Sequence, residues 1–189
     1  MKKIAVRGCK QSEGERVMKG KRGVGLVIFA VLVTVCVCGC RSVSVSDYTA
    51  YQKEDFTAEA SGEMNGVSFT ALLSAVSTAE GEKMLSVSYL SSDALEGVRV
   101  ELFPDGTVVV TRDGVELTSD RSAMEGLLAP VLLLFPEGDL QTVHKESGKT
   151  RVAFDDGCEI LLSERLIPVS VSCEEIMFEI AWWESAENA

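Results

Sequence analysis

From Phe56 onward, apolar residues recur at every second position in short runs divided by turn formers, the period of half-buried strands. FTAEASGEM and VSFTALLSAV flank Asn65-Gly66, a pair suited to a two-residue hairpin turn because both residues tolerate positive φ. MLSVSYLSS follows the turn at Glu80-Gly81. VRVELF and TVVVTR are split by Pro104-Asp105-Gly106, and Asp113-Gly114 leads into VELT. The alternation resumes in LQTVHKE, TRVAF, CEILLSE, VSVSC and IMFEIAWW, with turns at Ser147-Gly148-Lys149 and Asp155-Asp156-Gly157. The pattern predicts a mainly β (α+β) domain, a curved antiparallel sheet or half-barrel of about ten strands with one packed helix.

The helix is predicted between VELT and LQTVHKE. Ser122-Ala123-Met124-Glu125 matches a capping box, in which side chains satisfy the free N–H groups of a helix start. The run Leu127 to Phe135 follows, with Pro130 either in the first turn or breaking the helix, and Pro136-Glu137-Gly138 ends it. This run is more apolar than one helix face requires, as for a helix that is buried or borders a cavity.

A different pattern precedes the strands. Lys19, Lys21 and Arg22 stand before an uncharged apolar stretch that ends in Val37-Cys38-Gly39-Cys40. Basic, apolar and small-residue segments in that order form an export signal. The stretch resembles a bacterial lipoprotein signal with its lipobox, which implies that Cys40 carries the lipid and that residues 41–189 lie outside the cytoplasm, anchored to the membrane. The alternative is an uncleaved transmembrane helix over 23–40, long enough to span a bilayer. Both place residues 41–189 on the same side. The predicted organisation is an N-terminal extension at 1–17 (which a mis-assigned start would explain), the signal at 18–40, a polar tether at 41–54, a β-rich domain at 55–184 and a tail at 185–189.

Charge sharpens this picture. Residues 1–40 hold 8 of the 18 Lys/Arg and 2 of the 29 Asp/Glu, so residues 41–189 hold 10 and 27, a net charge of −17. Such a surface repels nucleic acid and anionic headgroups. It suits solubility outside the cell or a cationic partner.

Three of the six cysteines remain after the signal, namely Cys40, Cys158 and Cys173. If Arg165-Leu166 is a two-residue turn, positions that sum to 331 face each other, and Cys158 then faces Cys173. Either a cross-strand disulfide, worth about 3 kcal/mol on the loop-entropy account, or two small buried hydrophobes fits that register. The one histidine, His144, has Lys145 beside it and no nucleophile in a G-x-S-x-G turn anywhere in the chain. One histidine and two cysteines do not make a zinc set, so no metal or other cofactor is expected. The Asp-Gly turns lack the alternating carboxylates of a calcium loop.

The opening hairpin at Asn65-Gly66, the mid-chain helix, and the closing run from Asp156-Gly157 through Leu166-Ile167-Pro168 to Trp182-Trp183 resemble the LolA/LolB-like group of bacterial lipoproteins and carriers. The resemblance covers most of residues 55–184 and lies in strand order and turns. It implies a curved sheet wrapped around helices and enclosing an apolar cavity. A shuttling role is not implied, because an anchored chain makes a poor soluble carrier. The expected function is non-catalytic: binding an apolar ligand such as a lipid or acyl chain near Leu128, Leu132, Phe135 and Trp182. The alternative is an acidic protein-interaction module with a solid core.

Overall fold

A computed structural model describes residues 45–92 and 94–185, which belong to one compact unit, Val43–Ala189. The extension 1–17, the signal 18–40 with Cys40, the alternative span 23–40 and residues 186–189 lie outside the described residues. No helix among the described residues is long and apolar enough to cross a membrane.

The described chain opens with a one-turn helix α1 (Val45–Tyr48) and a 3₁₀ turn (Ala50–Lys53). The strands are β1 (Phe56–Met64), β2 (Val67–Ser77), β3 (Lys83–Ser91), β4 (Arg99–Leu102), β5 (Thr107–Arg112) and β6 (Val115–Asp120). Helix α2 (Arg121–Leu132) follows, then β7 (Leu140–Glu146), β8 (Lys149–Phe154), β9 (Glu159–Leu162), β10 (Pro168–Cys173) and β11 (Ile176–Ser185). All eleven strands join one antiparallel sheet in the order β6-β5-β4-β3-β2-β1-β11-β10-β9-β8-β7. The first meander runs out to β6, α2 carries the chain to the other half, and the second meander returns to pair β11 with β1. Because β6 and β7 are edges, the curved sheet is open. The one long helix among the described residues packs on the inner face of β2 to β6.

Turn chemistry sets the registers. Asn65-Gly66, Asp113-Gly114 and Ser147-Gly148 all adopt positive φ at both positions, the geometry that matches strand twist in a two-residue hairpin. Gly62 has another role: a Cβ there would lie 2.1 Å from the Met177 carbonyl oxygen, so β1 and β11 approach closely only because this position is glycine.

Three local expectations need correction. Helix α2 starts at Arg121, capped not by Ser122 but by Asp120, whose carboxylate accepts from the Ala123 N–H at 3.1 Å and the Ser122 hydroxyl at 2.6 Å. Those two bonds, the hydroxyl's first, hold the Asp120 carboxyl below the usual range. Pro130 neither starts nor breaks the helix but lies buried in its last turn, where one forgone hydrogen bond is tolerated. The β9–β10 turn is Glu164-Arg165-Leu166, closed by Ser163 N–H to Ile167 O at 2.9 Å, with Leu166 at φ 60°.

The β9–β10 turn alone would make facing positions sum to 330, as Pro168 opposite Leu162 shows. A bulge at Val169 then shifts the sum to 331, pairing Val171 with Ile160. Cys158 and Cys173 thus face each other, Cα atoms 4.4 Å apart, and are joined as a disulfide.

The segment expected as a tether is packed along residues 45–53. Tyr48 and Tyr51 are both buried, and the Tyr51 hydroxyl donates to the Leu134 carbonyl at 2.9 Å.

Candidate functional site

The core side of the sheet is built from alternate positions. Leu85 and Val87 of β3, Val100 and Leu102 of β4, and Val108 of β5 face α2, which returns Leu128 and Val131 with Leu134 just beyond its end. Two phenols fasten this helix. Tyr89 of β3 donates to the Leu127 carbonyl at 2.9 Å, and Tyr51 donates to that of Leu134, which also accepts from the Gln52 side-chain amide at 3.1 Å. Burial pushes both phenol pKa values up, so they remain donors at any physiological pH.

Where α2 ends, a groove of about 330 Å³ opens to the surface. Leu85 and Leu102 form its floor, Phe103 and Pro104 of the β4–β5 turn one wall, and Leu132 and Phe135 the other, with Gln52 at the base. Phe103 and Pro104 reach this lining from the β4–β5 hairpin, where the Phe103 N–H donates to the Thr107 carbonyl at 2.9 Å. There Asp105 accepts from the Thr107 N–H at 2.9 Å, a bond that also keeps its carboxyl below the usual range. The rim is charged and internally paired: Arg121 meets Glu137 at 2.8 Å, and Lys83 meets Asp55. Asp55 also accepts from the Ser77 hydroxyl at 2.6 Å and the Ser77 N–H at 2.8 Å. Lys83 first, then Ser77, hold the Asp55 carboxyl below the ordinary carboxylate range.

Two of the four residues expected at an apolar site come together here. Leu132 and Phe135 line the groove, while Leu128 is fully buried in the core beneath it. Trp182 is on the opposite face of the sheet, 40% exposed, its indole N–H donating to Glu59 at 3.1 Å. Counting alternate positions from the buried Phe178 would place 182 inside. The register, however, shifts between Glu59 and Ala60, so Ala181 is an extra residue that reverses the faces. Trp183 therefore points inward. It stacks on Phe56 at 4.0 Å between ring centroids and meets Tyr51 edge-on at 5.9 Å, and Phe56 in turn stacks on Phe135 at 6.1 Å. The groove residues missed are thus Gln52, Leu85, Leu102, Phe103 and Pro104, and behind Phe135 the aromatic cluster of Phe56, Trp183 and, from the N-terminal strap, Tyr51. An aromatic pair in the otherwise polar stretch Asp47–Glu54 was the available signal for the strap.

His144 is exposed on the edge strand β7, paired across from Arg151 and on the other half of the sheet from the groove. Among the described residues no three His, Cys, Asp or Glu side chains converge as a metal site. The groove therefore offers shape, apolar contact and a paired charged rim.

These features define a class at the level of architecture: an open antiparallel sheet clasping one helix, with a shallow apolar groove at the helix end. No family model and no curated protein matches the chain. Among solved structures it is similar to an uncharacterized conserved protein from Thermus thermophilus, at 10% identity and a TM-score of 0.48 over 75% of this chain and 85% of that one. It is also similar to MucB, at 17% identity and a TM-score of 0.40 over 74% of this chain and 56% of that one. At these values both are distant likenesses of chain path.

Proposed function

We propose that this protein is a non-catalytic, membrane-anchored extracytoplasmic lipoprotein, held by a lipid on Cys40, that binds an apolar ligand such as an acyl chain in the groove at the end of α2. The observation that carries the binding site is the groove itself, which reaches the lower end of the size range of small-molecule sites and is lined by Leu85, Leu102, Leu132 and Phe135. About eight carbons seated there would gain roughly 6 kcal/mol at ~0.8 kcal/mol per buried CH₂. Association and chain ordering offset part of that, so the affinity is tens of micromolar or weaker.

Native mass spectra of residues 41–189 with Cys40 removed, purified without detergent from a bacterial host, test the proposal. Added mass in lipid-sized increments after incubation with lipid vesicles, lost on organic extraction, is the expected result. A clean mass that stays clean after incubation with lipid vesicles would remove the ligand reading.

One observation favours a second reading, an acidic module that docks a basic partner. The edge strand β6 leaves Val115 72% and Leu117 56% exposed, interleaved with Glu116 and close to Asp113. An unpaired edge of this kind can accept another strand. Docking of that kind weakens as salt is raised, whereas apolar binding in the groove does not.

A further inference from the structure

Basic residues are concentrated in one corner of this acidic domain. Of the 10 Lys/Arg in residues 41–189, four fall between 145 and 165: Lys145, Lys149, Arg151 and Arg165. All four side chains are exposed. The fold gathers them further, because Thr150 of β8 pairs with Leu162 of β9, so the β7–β8 and β9–β10 turns project from the same end of the sheet. Five acids share this stretch: Asp155 and Asp156 lie in the β8–β9 turn at the other end of the sheet, Glu146 is exposed beside Lys145, and the remaining two are partly engaged. Glu159 is held by Arg151 at 2.7 Å, and the Glu164 carboxylate lies against Gly148.

The chain enters the domain at this same corner. The Lys145 ammonium sits over the Tyr48 ring, 5.9 Å from its centroid. Tyr48 is eight residues from Cys40, so even a fully extended chain places them no more than about 28 Å apart. An anchored Cys40 therefore keeps this corner close to the bilayer. Lysine on an edge strand also discourages strand pairing. That accounts for Lys145 but not for Lys149, which opens the inner strand β8, nor for Arg165, which lies in the β9–β10 turn.

We infer that the corner formed by Lys145, Lys149, Arg151 and Arg165 rests on anionic phospholipid headgroups and sets the orientation of the anchored domain. Residues 41–189 carry a net charge of −17, and an anionic leaflet repels that charge from every other side. Corner-down is the pose that brings the cations to the headgroups and turns the acidic remainder outward. The inference rests on the anchored reading above, so its test reports anchoring separately.

The full chain, lipidated in a bacterial host, is reconstituted into vesicles of neutral phosphatidylcholine or of phosphatidylcholine with phosphatidylglycerol. Mass spectrometry of the Cys40 peptide and flotation report the anchor. Acylation of Lys149 by a water-soluble reagent, normalised to Lys83, reports the corner. Lys149 labelling should fall at least three-fold on anionic relative to neutral vesicles. It should recover in 0.5 M salt, where screening acts within roughly 4 Å. Arg165→Glu, an exposed turn substitution, should reduce the difference below two-fold while flotation is unchanged. Equal Lys149 labelling on both vesicles with an intact anchor would overturn the orientation alone. An unmodified Cys40 would overturn the anchor as well.

Discussion

The two adjacent tryptophans show how far single residues diverge once a backbone irregularity intervenes. Trp183 is sandwiched against Phe56 and Tyr51, whereas Trp182 lies on the outer face with one hydrogen bond to Glu59. Trp183→Ala should cost about 3 kcal/mol, and Trp182→Ala no more than about 1 kcal/mol; urea unfolding of both variants compares them. Asp55 gives a pH-dependent counterpart. Its folded pKa is depressed by Lys83 and Ser77, so the stabilisation is present above the unfolded pKa, about 3.9 for an aspartate, and is lost as pH falls through the folded value. Asp55→Asn should therefore lower stability at neutral pH and flatten its decline on acidification, read from unfolding midpoints across the acid range.

Among the elements, the β9–β10 hairpin and the β1–β11 pair make the sharpest claims. Reduction, or Cys158→Ala with Cys173→Ala, removes a crosslink across a sequence separation of 15 residues. About 3 kcal/mol should be lost on the loop-entropy account, seen as a lower thermal midpoint in the presence of reductant. Gly62→Ala drives a methyl group into the Met177 carbonyl and should separate β1 from β11, with faster amide exchange in both strands as the readout. Most of this architecture was legible in the sequence. Period-two alternation and the Asn-Gly, Asp-Gly and Ser-Gly turns place the strands, because those dipeptides fix two-residue hairpins. Bulges were not legible. The extra residue at Ala181 moved Trp182 out of the candidate site. The one at Val169 restored the cysteine register after a turn one residue longer than expected. No local propensity marks either, since each is set by packing against the partner strand. The N-terminal strap was missed for a similar reason: its composition is polar, and long-range contacts order it, those of Tyr51 and Gln52 with Leu134, of Tyr51 with Trp183 and of Tyr48 with Lys145.

For the whole molecule, the topology explains why a site forms where it does. Helix α2 must carry the chain from one half of the open sheet to the other, and it lies along the inner face of the first half. Its end leaves Leu132 and Phe135 facing Leu85 and Leu102 without closing the space between them. Half of the expected apolar site was thus visible as an over-hydrophobic helix, while Phe103 and Pro104 were hidden in what read only as a turn. The central claim is that this groove holds an apolar chain, and titration with a fluorescent fatty acid tests it most directly. Residues 41–189 should bind the probe saturably at one site, with an affinity unchanged between low and high salt. Leu132→Lys, which places an ammonium on the groove wall, should weaken binding at least ten-fold while the thermal midpoint shows the fold retained. Absence of saturable binding, or equal binding by the folded variant, would contradict the account.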